Sequence, residues 1–131
     1  MKQQILLVED NEHNLYLLTY LLEHAGFEVN QARDGRTAIV WATAHEAPAL
    51  VILDIQLPEM DGYDLARTLR SMPRFEALPI VAVTSHAMVG DRERALLAGC
   101  TEYLEKPIDP ETFVLRIREE LDAAKRPAGG R

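Results

Sequence analysis

A single cysteine, Cys100, stands among the 131 residues. That excludes an internal disulfide and fits a reducing compartment such as the cytoplasm. Basic residues are also scarce. Fourteen Lys and Arg face 21 Asp and Glu, a formal net charge of −7. Proteins that neutralise a nucleic-acid backbone are normally basic, so this balance argues against direct binding of DNA or RNA. No apolar run approaches the roughly 20 residues needed to span a bilayer. Met1-Lys2-Gln3-Gln4 leads straight into an apolar stretch, without the zones of a secretory signal. Internal repeats and a long linker are absent too. What is present is 47% hydrophobic and 27% charged residues, the size and composition of one soluble domain able to bury a core.

The chain alternates two periodicities. Apolar runs at 5–9, 28–32, 50–54, 80–84 and 101–105 predict strands, and the segments between them carry helical spacing. Leu15, Leu18 and Leu22 recur at i, i+3 and i+7, with Leu17 and Leu21 beside them, and Gly26 marks the stop. Asp34-Gly35 opens a second helix that runs through Ile39 and Ala42 and ends before Pro48. A third is expected from about Gly62 to Ser71 with Leu65, Ala66 and Leu69 inward, and a fourth from about Met88 to Ala98. The fifth has Asp109 as N-cap, Pro110 at the first helical position and Glu111 in the first turn, with Phe113, Val114, Ile117 and Leu121 inward. Five β/α units with short connections imply a parallel sheet covered on both faces. The expected fold class is α/β, a flavodoxin-like (βα)5 sandwich with strand order 2-1-3-4-5. The domain is expected over residues 3–123, with a short disordered tail over 124–131.

That order sets the first and third strands side by side, and both end in acids. Ile5-Leu6-Leu7-Val8 runs into Glu9 and Asp10, and Leu50-Val51-Ile52-Leu53 into Asp54. Three carboxylates at adjoining strand ends repel unless a cation joins them. The fourth strand ends in the hydroxyl of Thr84 and the fifth leads to the ammonium of Lys106. Hard oxygen ligands of this kind suit Mg²⁺, with Mn²⁺ an acceptable substitute, leaving room for water and a phosphoryl oxygen. An ionised Asp54 can attack a phosphoryl group, while the metal and Lys106 neutralise its charge and Thr84 donates a hydrogen bond.

Four motifs in order, each at a strand end, carry a resemblance. They are Val8-Glu9-Asp10-Asn11, Leu53-Asp54-Ile55-Gln56-Leu57-Pro58-Glu59-Met60-Asp61-Gly62, Val83-Thr84 and Lys106-Pro107. Over about residues 3–123 the chain resembles the receiver domain of two-component response regulators, and within that family the single-domain cell-division regulators. The resemblance implies a bacterial cytoplasmic protein that accepts a phosphoryl group on Asp54 from a histidine kinase or histidine phosphotransfer protein. It implies Mg²⁺ held by Glu9, Asp10, Asp54 and the backbone carbonyl of Gln56, with Lys106 against the phosphoryl group. It further implies a cis Lys106-Pro107 bond and a switch in which Thr84 moves and Tyr103 turns inward. Output would pass to a protein target through the face of helix 4, strand 5 and helix 5, from a monomer or weak homodimer. Asn11, Gln56 and His86 stand where the family tunes dephosphorylation, and His86 departs from the small or apolar residue expected there.

Other readings compete at single residues. Glu9-Asp10 taken alone reads equally as a solvated strand end, and Thr84 as a hydroxyl bonded to its own backbone. Exposed Tyr16 and Tyr20 on the first helix read equally as a kinase-docking face or as scattered surface aromatics. An aspartyl-phosphate phosphatase of the haloacid-dehalogenase type would carry a second Asp two residues after the nucleophile. Gln56 occupies that position, so turnover of small substrates is not expected. A receiver detached from a hybrid kinase, or a scaffold that works without phosphate, are the remaining alternatives.

Overall fold

A computed structural model describes residues 2–85 and 87–125. Five strands, β1 (Gln4–Val8), β2 (Glu28–Ala32), β3 (Leu50–Asp54), β4 (Ile80–Thr84) and β5 (Glu102–Glu105), form one parallel sheet in the order β2-β1-β3-β4-β5. Five helices connect or follow them: α1 (Glu12–His24), α2 (Gly35–Ala44), α3 (Gly62–Arg70), α4 (Asp91–Leu97) and α5 (Pro110–Ala124). The expected fold class and strand order are those observed.

Alternation along the central strands divides the core in two. Ile5, Leu7, Leu50, Ile52, Val81 and Val83 face α1 and α5, where they meet Leu15, Leu18, Leu22, Phe113, Ile117 and Leu121. Leu6, Val8, Val51, Leu53, Ile80 and Ala82 face the other layer, against Ala38, Ala42, Leu65, Leu69, Ala95 and Ala98. The three middle strands are thus apolar on both faces, as a sheet covered on both sides requires.

Local chemistry explains most helix ends. Asn11, Asp34, Asp61 and Asp109 each cap a helix N-terminus with a side-chain oxygen that accepts a backbone N–H. Gly26, at φ 101°, ends the α1 connection in left-handed backbone.

Several boundaries differ from the sequence expectation. Helix α4 starts at Asp91 rather than Met88, because Gly90 at φ 90° breaks the helical path and the Asp91 carboxylate turns back to accept the Met88 N–H at 2.7 Å. Strand β1 stops at Val8, leaving Glu9 just past its end, and a 3-10 turn at Pro73–Phe75 buries Phe75 where no element was expected. Val114 is only half-buried. Helix α5 continues through Ala124, so the expected tail starts too early at 124; residues 126–131 lie outside the described residues.

Candidate functional site

The parallel register places the strand ends of β1, β3, β4 and β5 along one rim. Val8 pairs with Leu53, Asp54 with Val83 and Thr84 with Glu105. From that rim Glu9, Asp10 and Asp54 converge, each with a carboxylate oxygen within 4.8 Å of the others. Their environments differ sharply: Glu9 is 1% exposed and Asp54 5%, whereas Asp10 faces solvent. Thr84 is likewise buried at the end of β4.

Lys106 supplies the opposing charge. Its Nζ lies 2.8 Å from Glu9 Oε1 and 3.0 Å from Asp54 Oδ2, with the side chain almost fully buried. The Lys106 N–H bonds the Thr84 carbonyl at 2.8 Å, so the lysine is mounted on the end of β4. The Lys106-Pro107 bond is cis, as expected.

The ionisation of this cluster follows from burial and pairing. Burial pushes the Glu9 carboxyl above its ordinary range, the nearby Asp54 charge adds to that, and the Lys106 bond opposes it. Burial alone would lower the Lys106 ammonium. Its bonds to Glu9 and Asp54 outweigh that and raise it, so it stays charged. One ammonium therefore faces two buried carboxylates and a third at the solvent edge. This donor set fits a hard divalent cation: all the side-chain ligands are oxygens, they converge, and one side is open to water.

Two further contacts shape the loop. The Gln56 N–H donates to Asp54 Oδ1 at 2.8 Å, and the Asn11 N–H donates to Glu9 Oε2 at 3.1 Å. The Asn11 side chain is engaged as the α1 cap, accepting the Asn14 N–H at 2.9 Å. Beneath Asp54, Gly62 packs so tightly that a Cβ there would sit 2.5 Å from the Asp54 carbonyl oxygen. His86 lies outside the described residues.

Tyr103, on β5, is already turned inward: it is 6% exposed, and its hydroxyl is buried without a hydrogen-bond partner. A groove of about 430 Å³ opens between α4, β5 and α5, lined in part by Met88, Gly90, Arg92, Tyr103, Phe113 and Arg116. Glu102 fastens its rim by pairing with Arg92 at 3.3 Å and with Arg116, and by accepting the Tyr103 N–H. These groups carry no periodic signal, so no sequence pattern exposes the network. Tyr16 and Tyr20 are exposed on α1, 72% and 55%.

The model of the response regulator receiver domain matches residues 5–118. The chain belongs to the response regulator receiver family. It is 38% identical over 124 residues to the polar-differentiation response regulator DivK of Brucella anthropi, covering 95% of this chain and all of that protein. Solved structures agree. The receiver domain of a Pseudomonas aeruginosa sensor histidine kinase, which has a magnesium ion coordinated in its active-site cleft, shares 33% identity at a TM-score of 0.85, over 93% of this chain and 99% of that one. The Vibrio cholerae chemotaxis response regulator CheY4 shares 26% identity at a TM-score of 0.85, over 91% and 98%. The chain is thus a DivK-like receiver domain of two-component signalling. Receiver domains of this family bind Mg²⁺ in an acidic pocket, and the Glu9, Asp10 and Asp54 cluster is such a pocket here. Among the described residues no helix is long and apolar enough to cross a membrane.

Proposed function

We propose that this receiver accepts a phosphoryl group on Asp54 from a phosphohistidine of a kinase or phosphotransfer protein, and signals through contacts that depend on it. The observation that carries this reading is the single buried ammonium of Lys106 reaching both Glu9 and Asp54. An aspartate with a fixed cation and two neighbouring acids is equipped to receive an anion and to hold a metal beside it.

An Asp54 carboxylate oxygen attacks phosphorus as the histidine N–P bond breaks, leaving an acyl phosphate on Asp54 and the nitrogen's electron pair on the imidazole. Mg²⁺ held by Glu9, Asp10, Asp54 and the Gln56 carbonyl would neutralise and orient the transferring group. Lys106 moves from a carboxylate partner to a phosphoryl oxygen, keeping its charge. Thr84, at the end of β4, donates to another of those oxygens. The group brings about −1.5 to −2 charges, by analogy with other phosphoresidues. It biases Thr84 and Tyr103 only through contacts that differ between the two states. Tyr103 lines the groove between α4, β5 and α5, and that face would receive the downstream protein. Gln56 in place of a second acid favours holding the phosphoryl group over turning it over.

Incubation with Mg²⁺ and acetyl phosphate should add one phosphoryl mass to the intact protein, and Asp54→Asn should abolish it. An adduct that survives Asp54→Asn would refute the assignment. Chelation should also stop labelling.

A further inference from the structure

Two tyrosines face one carboxylate at the start of α4. Asp91 is the first residue of that helix, and its carboxylate influences both the Tyr63 hydroxyl from α3 and the Tyr103 hydroxyl from β5. Burial and then the Asp91 charge push the Tyr103 phenol up to about 12, and the same two causes raise Tyr63. Both phenols stay protonated near neutral pH, so both can only compete to donate to Asp91.

The acceptor is oversubscribed. Asp91 Oδ2 takes the Met88 N–H at 2.7 Å, and Oδ1 lies 3.9 Å from Arg94. That arginine packs over the Tyr63 ring, 4.3 Å from its centroid, so Arg94 and Tyr63 hold the carboxylate from one side. On the other side Arg92 lies over the Tyr103 ring at 5.8 Å and bonds the Tyr103 carbonyl at 3.3 Å. Yet the buried Tyr103 hydroxyl has no partner. A buried donor left unmade is costly, so any rearrangement that satisfies it is favoured. The means for one is present. Helix α4 has only seven residues, and its N-cap Gly90 makes no side-chain cap bond.

We propose that Asp91 is the acceptor that locks Tyr103 inward in the signalling state, and that Tyr63 is a positioning residue that contests it. The proposal rests on the reading of Tyr103 as the switch. With Tyr63 donating to Asp91, Tyr103 is inward but unsatisfied, and the receiver is easily reversed. When α4 shifts and Asp91 turns to Tyr103, the ring is pinned and the groove wall formed by Gly90, Arg92 and Tyr103 takes its final shape.

Fluorine NMR of the full chain carrying fluorotyrosine tests this, with the four tyrosine signals assigned by single Tyr→Phe variants and phosphorylation checked by intact mass. Tyr63→Phe should move the Tyr103 signal of the unphosphorylated protein toward its phosphorylated position. The corresponding ratio of locked to unlocked states should rise roughly three- to tenfold, the factor one hydrogen bond carries. Asp91→Ala should abolish the phosphorylation-dependent movement while Asp54 still takes up phosphate, and Asp91→Asn, which keeps an acceptor oxygen, should restore most of it. A Tyr103 signal indifferent to Tyr63→Phe, or equal behaviour of the Ala and Asn variants, overturns the Asp91 lock and leaves the switch intact. A Tyr103 signal that does not move when the unaltered protein is phosphorylated overturns the switch itself, and the lock with it.

Discussion

Replacing Lys106 with methionine keeps most of the buried stem and removes the charge. Two carboxylates, 2.8 and 3.0 Å from Nζ in the native protein, then face each other without a cation. Taking one partner from a buried pair costs about 3–5 kcal/mol. The lower end applies, because the Glu9 carboxyl is already raised and can take up a proton. A loss of about 3 kcal/mol lowers Tm by roughly 10 °C in a domain of this size, measurable by calorimetry in a chelating buffer. Saturating Mg²⁺ should recover part of the loss. The variant no longer has an ammonium competing for the carboxylates, so its affinity for the ion should rise about tenfold, worth about 1.4 kcal/mol. The pH dependence has a definite sign. A carboxyl with a raised folded value binds more protons folded than unfolded between its ordinary and raised values, so its contribution falls as pH rises through that window. Losing Lys106 raises Glu9 further and widens the window. The Tm deficit of Lys106→Met should therefore shrink as pH is lowered from neutrality toward the ordinary glutamate range, where a neutral Glu9 needs no cation. A deficit that is unaffected by Mg²⁺ and flat in pH would refute this account and assign the lysine's contribution to its stem.

Asp10→Asn should separate metal binding from folding: Asp10 is exposed, so apo stability should change by less than about 0.5 kcal/mol, while the Mg²⁺-induced rise in Tm should largely disappear. Gly62→Ala places a Cβ 2.5 Å from the Asp54 carbonyl oxygen and 2.6 Å from the Ile55 Cα, backbone that has no flexible end to yield. Overpacking there should cost about 1–3 kcal/mol, and the displaced Asp54 should lose up to about a hundredfold in phosphorylation rate by acetyl phosphate. Arg70 donates to the Phe75 carbonyl at 2.7 Å, the Leu78 carbonyl at 2.6 Å and the Gly99 carbonyl from two nitrogens. Arg70→Leu strands those acceptors and should cost about 3 kcal/mol in a denaturant titration, with phosphorylation of the folded protein unchanged.

The layered fold was legible because it rests on local pattern. Leu15, Leu18 and Leu22 read as one buried stripe from spacing alone, and Ile5 to Val8 as a strand buried on both sides. The acids of the site were legible for a related reason: each ends a strand, and topology alone makes strand ends converge. What the pattern could not reveal is how unequal they are. Glu9 and Asp10 are adjacent in sequence, yet one is buried against Lys106 and the other points to water, because successive side chains at a strand end diverge. The start of α4 was misplaced for want of tertiary knowledge, since it depends on Gly90 adopting left-handed backbone. Arg70 and the Tyr63, Asp91 and Tyr103 cluster were invisible as groups. Their contacts join residues 28 to 40 positions apart through single polar atoms, and such contacts impose no periodicity on the chain.

The same geometry explains how a charge change at Asp54 can reach Tyr103 without a long pathway. Lys106 and Tyr103 both belong to the β5 end, three residues apart. The Lys106 N–H is bonded to the Thr84 carbonyl, and Tyr103 pairs in register with Ala82 on β4. Withdrawing the ammonium from Glu9 toward a phosphoryl oxygen therefore acts on the last residue of β4 and on the first residue past β5 together. The strands themselves are clamped by apolar residues on both faces, so the displacement is left to the parts that are not: the Thr84 side chain, the loop from Ser85 to Gly90 and the short helix that follows. Asp91 begins that helix. A local electrostatic event at the rim thus arrives first at the residue that faces the Tyr103 hydroxyl, which is where a switch with an unsatisfied buried donor is most easily tipped.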